Sequence, residues 1–470
     1  MYSSTPARIT PCASSKLSAV SGTTGMFSHA GRAPQHPHHP LTADLRQPQV
    51  RITASGGGSS SRLSAAIPSA MHSTRSPAVS RFSVIVSDSP PRPPDARVPA
   101  YPWPSQKEAQ VRPIMKQRLK DLTRELAALP GVSGNEAPIV KMLAEKMTAL
   151  ADELTVDRHG NIMAVKHGTS DGPKLMIAAH SDIIGCIVRS VDEAGFLRLF
   201  AVGGVIDALL VGRKVLVNDV PGIIGARPGH IQSDAEKRVV TPLADLYVDL
   251  GVRSAAEVAD LGITIGSPVR YLSGVEEMAN PDLLCGAYID NRLSCVILIE
   301  TLAGLPSDFA GSVHAVVNVH EETGFRGAKM TAYAVHPDVA IALDTTPGAG
   351  TPDVDFYREL PLDIGRGPVF QVASQGGGAG FTSHPAVLQW LIDSAESTGH
   401  EYQLAALPNA NTDAAIIHMS RDGIPTGALT ISRRYSHSPV ELIDLNDAEA
   451  AVQILLQAVS TLGDLDLSFI

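Results

Sequence analysis

The chain has 470 residues, 44% hydrophobic and 18% charged, with a formal net charge of −10. That length buries a sizeable core in two or three domains, and the acidic balance excludes nucleic acid and anionic membrane surfaces as natural partners. No apolar run approaches the roughly 18 residues of a bilayer span.

Residues 1–112 differ in texture from everything after them. They are rich in Ser, Pro, Ala, Arg and Gly, and up to Val86 they carry eight Lys/Arg against a single acid, Asp44. With no sustained helical or strand period they cannot bury enough apolar surface to order themselves, so the stretch is expected to be a disordered low-complexity extension. That reading includes a start codon assigned too far upstream, with Met115 as the true start. An Arg- and Ser-rich transit peptide to an organelle is the alternative, and a functional tail a third. Order is expected from near Pro113. MKQRLKDLTRELAAL has helical spacing and is stopped by Pro130-Gly131; APIVKMLAEKMTAL is a second helix. ELTVD and NIMAVKHG read as strands joined by the turn Arg158-His159-Gly160, and KLMIAAH as a buried strand ending in polar residues. Residues 113–185 are thus the first part of an α/β domain.

From 186 to 280 the pattern changes to short β segments punctuated by glycine (CIVRSV, GFLRLFAVGGV, RKVLVND, GIIGAR, SPVRYL), which reads as a small barrel-like insert. The α/β rhythm resumes over 281–470. Helices are expected at NRLSCVILIETLAGL, RGAKMTAYAV, PAVLQWLIDSAESTG and TDAAIIHMSRDG and at the C-terminal end, and strands at SVHAVVNV, DVAIALD, YQLAAL and TGALTIS. The fold class is α/β: a three-layer α/β/α catalytic domain with a central mixed sheet, interrupted by the barrel-like insert. Cys12, Cys186, Cys285 and Cys295 form no CxxC pair and read as reduced thiols, which places the chain in a reducing compartment, the cytoplasm.

Five separated places offer metal-ligand side chains, four of them at or near strand ends, where sites form in α/β sheets. His180 is followed two residues later by Asp182, which can sit behind the imidazole and fix its tautomer. Asp290 precedes a helix, where an N-cap is the ordinary role, although one carboxylate can also bridge two cations. Glu321 and Glu322 follow a buried strand; adjacent side chains diverge, so one suits a metal and the other the attacking water. Asp344 ends an apolar run and needs a partner, and His437 stands in RRYSHSP. Each alone is commonplace. Together, two histidines and several carboxylates suit zinc or cobalt, with manganese also accepted, and two such ions activate one water and hold a carbonyl oxygen.

AAHSD, GFLRLFAVGG, LYVDLG, GAYIDNR, EETGFRGA, PDVAIALDTT, TDAAIIH and RRYSHSPVE occur in that order, and from about Met115 onward the chain resembles the tetrahedral (TET) aminopeptidases, family forty-two of the metallopeptidases, which includes glutamyl and deblocking aminopeptidases. The resemblance implies that His180 is a metal ligand oriented by Asp182, that Asp290 bridges both metals, that Glu321 is the general base and that Glu322 is a ligand. It further implies that Asp344 joins the ion of His180 and that His437 completes the other site with Glu322. It also implies an insert that builds dimers, commonly six of them in a hollow dodecamer. Ile183, His320 and Ser432 depart from the family's frequent Glu, Gln and Pro without removing a ligand. The function so implied is a dinuclear metal-dependent aminopeptidase that hydrolyses N-terminal residues from short peptides. The alternatives are another two-metal hydrolase of this architecture, a carboxypeptidase or N-deacylase. A glycosidase is disfavoured because its acids must flank a sugar bond, and a non-catalytic scaffold because the matched positions are intact.

Overall fold

The structure, a computed structural model, describes residues 106–468 apart from Gly377; expectations for residues before 106 lie outside the described residues. In chain order, helices α1 (Gln106–Ala127) and α2 (Ala137–Thr148) precede strands β1 (Glu153–Val156), β2 (Ile162–His167) and β3 (Ser170–His180). Next come β4 (Gly185–Val191), β5 (Leu197–Val202), β6 (Lys214–Val217), β7 (Val220–Gly225), β8 (Tyr247–Asp249), α3 (Ala255–Asp260) and β9 (Pro268–Tyr271). The chain continues through β10 (Glu276–Glu277), β11 (Leu283–Gly286), α4 (Ile289–Gly304), β12 (Ala310–Asn318), α5 (Arg326–Val335) and β13 (Val339–Pro347). It closes with β14 (Val369–Gly376), β15 (Ala379–Thr382), α6 (Pro385–Thr398), β16 (Gln403–Pro408), α7 (Ala414–Ile417), β17 (Thr426–Arg433), β18 (Glu441–Asp444) and α8 (Leu445–Ser460).

Nine strands form one mixed sheet in the order β1-β2-β12-β3-β13-β17-β14-β15, with β16 beside β14. Its centre, β12-β3-β13-β17, is parallel, so these four strands deliver their carboxyl ends to one edge. Side chains alternate across a strand, and the core divides accordingly. Leu175, Ile177 and Ala179 of β3 join a cluster with α1, α2, α4, α6 and α8. Met176 and Ala178 face the other way, into a cluster with Ala328 and Ala332 of α5 and Ala414 and Ala415 of α7. These are the three layers the sequence pattern implies. The α5 and α7 side is built largely from alanine, which lets helix backbones come close to the sheet.

The segment between β3 and α4 closes into a six-stranded barrel, β4-β5-β8-β7-β6-β9, around Val188, Leu199, Val217, Ile224, Val248 and Val269. Its β6–β7 hairpin turns on Asn218 and Asp219 at φ 47° and 68°, the left-handed pair that a tight two-residue hairpin requires. Tyr288, just ahead of α4, lies in the same apolar cluster, and its hydroxyl accepts the backbone N–H of Tyr271. A separate three-stranded sheet, β10-β11-β18, runs the segment before Asp290 antiparallel to the one after His437.

Some elements differ from the sequence pattern. Helix α1 starts at Gln106, ahead of Pro113, because QKEAQVR is composed mainly of good helix formers and one missing N–H does not stop the helix. The helix expected over TDAAIIHMSRDG is only the short α7; its continuation breaks at Arg421, which has φ 54°, and Gly423. The sequence pattern does not signal strands β8, β10, β11, β14, β15 and β18, which are short or rich in Gly and polar residues. No helix among the described residues is long and apolar enough to cross a membrane. Cys186, Cys285 and Cys295 are unpaired, and Cys12 lies outside the described residues.

Candidate metal centre

All seven side chains singled out in the sequence meet above the carboxyl edge of the parallel strands. His180 closes β3, and its Nε2 lies 3.5 Å from Asp290 Oδ1, 3.6 Å from Asp344 Oδ1 and 3.8 Å from Glu321 Oε2. His437 Nε2 lies 3.4 Å from Asp290 Oδ2 and 3.8 Å from Glu322 Oε2. Two triads result, His180-Asp290-Asp344 and Asp290-Glu322-His437, each with its ligand atoms within 4.8 Å of one another, and Asp290 belongs to both.

The local backbone explains how adjacent acids take different positions. After β12 the chain reverses through His320 at φ 58°, and Asp182 captures the turn. Its Oδ1 accepts the Glu321 N–H at 2.9 Å, and its Oδ2 accepts the Glu322 N–H at 3.1 Å and the Ser133 hydroxyl at 2.6 Å. The same carboxylate is 3.4 Å from His180 Nδ1. Asp182 therefore orients the histidine and also fixes the two-glutamate loop. Helix α5 then seats tightly on the strand it follows: a Cβ at Gly327 would collide with the Val319 carbonyl and with Asn161.

Sequence reasoning missed several supporting groups. Glu441 is buried, accepting the Asp290 N–H on one oxygen and the His437 N–H on the other, each at 3.0 Å. It thereby ties together residues from opposite ends of the second half of the chain. Arg433, also buried, pairs with Asp290, and its Nη1 lies 3.7 Å from Glu441 Oε1. Asp413 accepts from Asn318 Nδ2 at 2.7 Å, while the Asn318 carbonyl accepts the Ser181 N–H at 2.9 Å, linking the ends of β3 and β12 to the loop before α7. Glu441 and Asp413 stand inside the RRYSHSPVE and TDAAIIH stretches, which was their only sequence signal.

The electrostatics call for cations. Burial, then the charge of Asp290, raises Glu322 to about 8, and burial with neighbouring acids pushes Glu321 well above the ordinary carboxylate range. Burial acts against a charged His437, but its bond to Asp290 and the charge of Glu322 prevail and raise it to about 9. Burial would likewise raise Asp290, yet Arg433 and the two imidazoles hold it well below its usual value. Protons thus stand where positive charge is wanted. Asp290 Oδ1 is a buried acceptor with no hydrogen-bond partner. Two imidazole nitrogens, several buried carboxylates and this open acceptor fit divalent ions of the zinc, cobalt and manganese kind.

The site opens into a cleft of about 520 Å³ lined also by Phe325, Pro347, Asn409, Asn411 and Ser436. Among the described lining residues the one Lys or Arg is Arg433, already paired with Asp290.

Comparison with known proteins gives the family. Residues 160–454 match the family model described as M42 glutamyl aminopeptidase. The chain is 30% identical over 353 residues to a lysyl aminopeptidase of Pyrococcus furiosus, covering 74% of this chain and 98% of the relative. An aminopeptidase from the archaeon Desulfurococcus kamchatkensis superposes with a TM-score of 0.70 at 32% identity, covering 73% of this chain and 95% of that one. The TET1 peptidase of Pyrococcus horikoshii, which can assemble into a tetrahedron or a large octahedral shell, superposes with a TM-score of 0.63 at 29% identity, covering 74% and 99%. The chain belongs to the M42 glutamyl aminopeptidase family of metallo-aminopeptidases.

Proposed function

We propose that the chain removes N-terminal residues from short peptides with two divalent ions, zinc or cobalt and alternatively manganese. His180, Asp290 and Asp344 would hold one, and Asp290, Glu322 and His437 the other. The observation that carries this reading is the pair of triads sharing Asp290. Ions bound there supply Lewis acidity toward the scissile carbonyl and make water a nucleophile near neutral pH.

Glu321 is outside both triads yet within 3.8 Å of His180, which suits it to accept the proton of the attacking water and return it to the leaving amine. In the absence of ions, burial and the charges of Asp344 and Glu322 favour its protonated form. Asp182 keeps Glu321 and Glu322 in register through their backbone N–H groups. The free amino group of a peptide finds carboxylates at the cleft floor. A substrate carboxylate finds no unpaired Lys or Arg among the described lining residues, which favours an aminopeptidase over a carboxypeptidase.

We further infer that the barrel, read from sequence as residues 186–280, builds dimers that assemble into a dodecamer in the cytoplasm. Exposed Phe200, Ile223, Ile231, Val239, Val240 and Ile265 support a contact role for that surface.

The test of function is a panel of aminoacyl-p-nitroanilides and their N-acetylated counterparts, offered to metal-stripped protein with zinc, cobalt or manganese restored. Cleavage of free-amine substrates alone, only with metal, is the expected result. Release of acetate from the blocked substrates with the anilide left intact transfers the assignment to an N-deacylase. Glu321→Gln should lower turnover by roughly 10²–10⁴-fold, the usual worth of a positioned general base, with metal content unchanged.

A further inference from the structure

The two histidines of the metal centre are braced differently. His180 is held from within the catalytic sheet: its Nδ1 is 3.2 Å from the Asp182 carbonyl and 3.4 Å from the Asp182 carboxylate, and its side chain is 2% exposed. His437 is 28% exposed at the side chain and stands at φ 56° in the loop between β17 and β18. Its Nδ1 meets the carbonyl oxygen of Gly204 at 3.0 Å, and Gly204 follows β5 of the barrel. A carbonyl only accepts, so Nδ1 carries a proton, and in the neutral ring that ligation needs Nε2, facing Asp290 and Glu322, has the lone pair.

The approach is close enough to require glycine at both positions of Gly203-Gly204. A Cβ on Gly204 would lie on the His437 ring, 2.7 Å from Cε1. A Cβ on Gly203, which has φ 77°, would meet Ile184 Cγ2 at 2.9 Å, Glu322 Cβ at 3.2 Å and Glu322 Oε2 at 3.3 Å. One corner of the barrel therefore packs against both side chains that are peculiar to the Glu322–His437 triad, which are the nearest site groups to it.

We propose that the barrel's Gly203-Gly204 corner is the positioning element of the second metal site. It fixes the tautomer of His437 and the placement of Glu322, so the barrel governs occupancy of that site more than occupancy of the His180–Asp344 site, with which it shares Asp290. The inference rests on the dinuclear reading above, and the experiment separates the two.

Full-length protein is stripped of metal and titrated with zinc alone, with bound zinc counted by equilibrium dialysis and elemental analysis. Wild type should take up two ions per chain. Gly204→Ala should bind the first with wild-type affinity and the second roughly 10–100-fold more weakly, the usual effect of losing a partner behind a ligating histidine. Gly229→Ala, also in the barrel but with open space where its Cβ would be, should bind both as wild type does. Equal weakening of both ions in Gly204→Ala, or no weakening of either, overturns the inference. A wild-type chain that takes up no second ion overturns the dinuclear reading and the inference with it. Should Gly204→Ala fail to fold, ring-nitrogen spectra of ¹⁵N-histidine-labelled wild type decide, with His437→Ala for assignment. The spectra are taken at alkaline pH, where the ring is neutral: Nδ1 of His437 must then carry the proton, and a neutral ring protonated at Nε2 overturns the proposal.

Discussion

At the scale of single residues, the centre is an arrangement of acids that would repel one another without partners. Glu441 shows how the chain manages this. Its two oxygens hold the backbone of Asp290 and His437, so on the proposed two-ion reading its loss should be felt at both triads, in contrast to a change at Gly204. Glu441→Ala is expected to weaken both zinc affinities by roughly 10–100-fold, read by dialysis; loss at one site only would contradict that clamp. Protonation gives a second prediction at this scale. With Glu322 raised to about 8 by burial and His437 to about 9 by Asp290 and Glu322, the pair retains a proton at neutral pH in the absence of ions, while ligation needs both groups bare. Zinc affinity should therefore climb from pH 6 to 9, with more protons released on binding at pH 7 than at pH 9. Calorimetry in buffers of contrasting ionisation enthalpy measures this, and a flat profile would sink the ligand assignment. The sequence announced His180, Asp182, Asp290, Glu321, Glu322, Asp344 and His437 because each follows an apolar run or stands in a distinctive motif. It could not announce the roles of Glu441, Ser133 or Gly204, even where a quoted motif contains them, because they act on backbone atoms or through contacts between segments far apart in the chain.

At the scale of elements, what was legible depended on how much of a strand is buried on both faces. β3, β12, β13 and β17 read plainly because their inner residues are apolar on each side of the sheet. β14, β15 and β18 did not, since the first two are partly exposed and the third is four residues long and begins and ends with an acid. Helix periodicity likewise overstated α7, where two consecutive alanines and two isoleucines suggest more helix than the Arg421–Gly423 turn permits. The seating of α5 yields a test. Gly327→Ala must push the helix away from the Val319 carbonyl, and overpacking of that kind costs about 1–3 kcal/mol. Chemical denaturation of the metal-free protein should show that loss, and an unchanged midpoint would mean the strand–helix junction relaxes freely.

At the scale of the whole molecule, the portion from α1 onward is equivalent to nearly the full length of its relatives, with the lysyl aminopeptidase covered over 98% of its own chain. A chain beginning at residue 106 should thus unfold at the same temperature as the full-length protein and take up the same zinc. A melting point several degrees lower would give the preceding residues a structural role. Self-association through the barrel predicts that Ile265→Asp and Val239→Asp together reduce the mass measured by light scattering without altering far-ultraviolet circular dichroism. An unchanged mass would place the contact elsewhere.

The order of the sheet bears on how the protein is made. β17 lies between β13 and β14, yet it is the last strand of that sheet to leave the ribosome. Until Thr426–Arg433 emerges, β13 and the β14–β16 pair present open edges to solvent, and unpaired edges recruit other chains. A nascent chain arrested shortly before residue 426 is consequently the species most prone to aggregate. The same late strand ends in Arg433 and leads directly to His437, so closing the sheet and completing the reactive centre are one event at the end of synthesis.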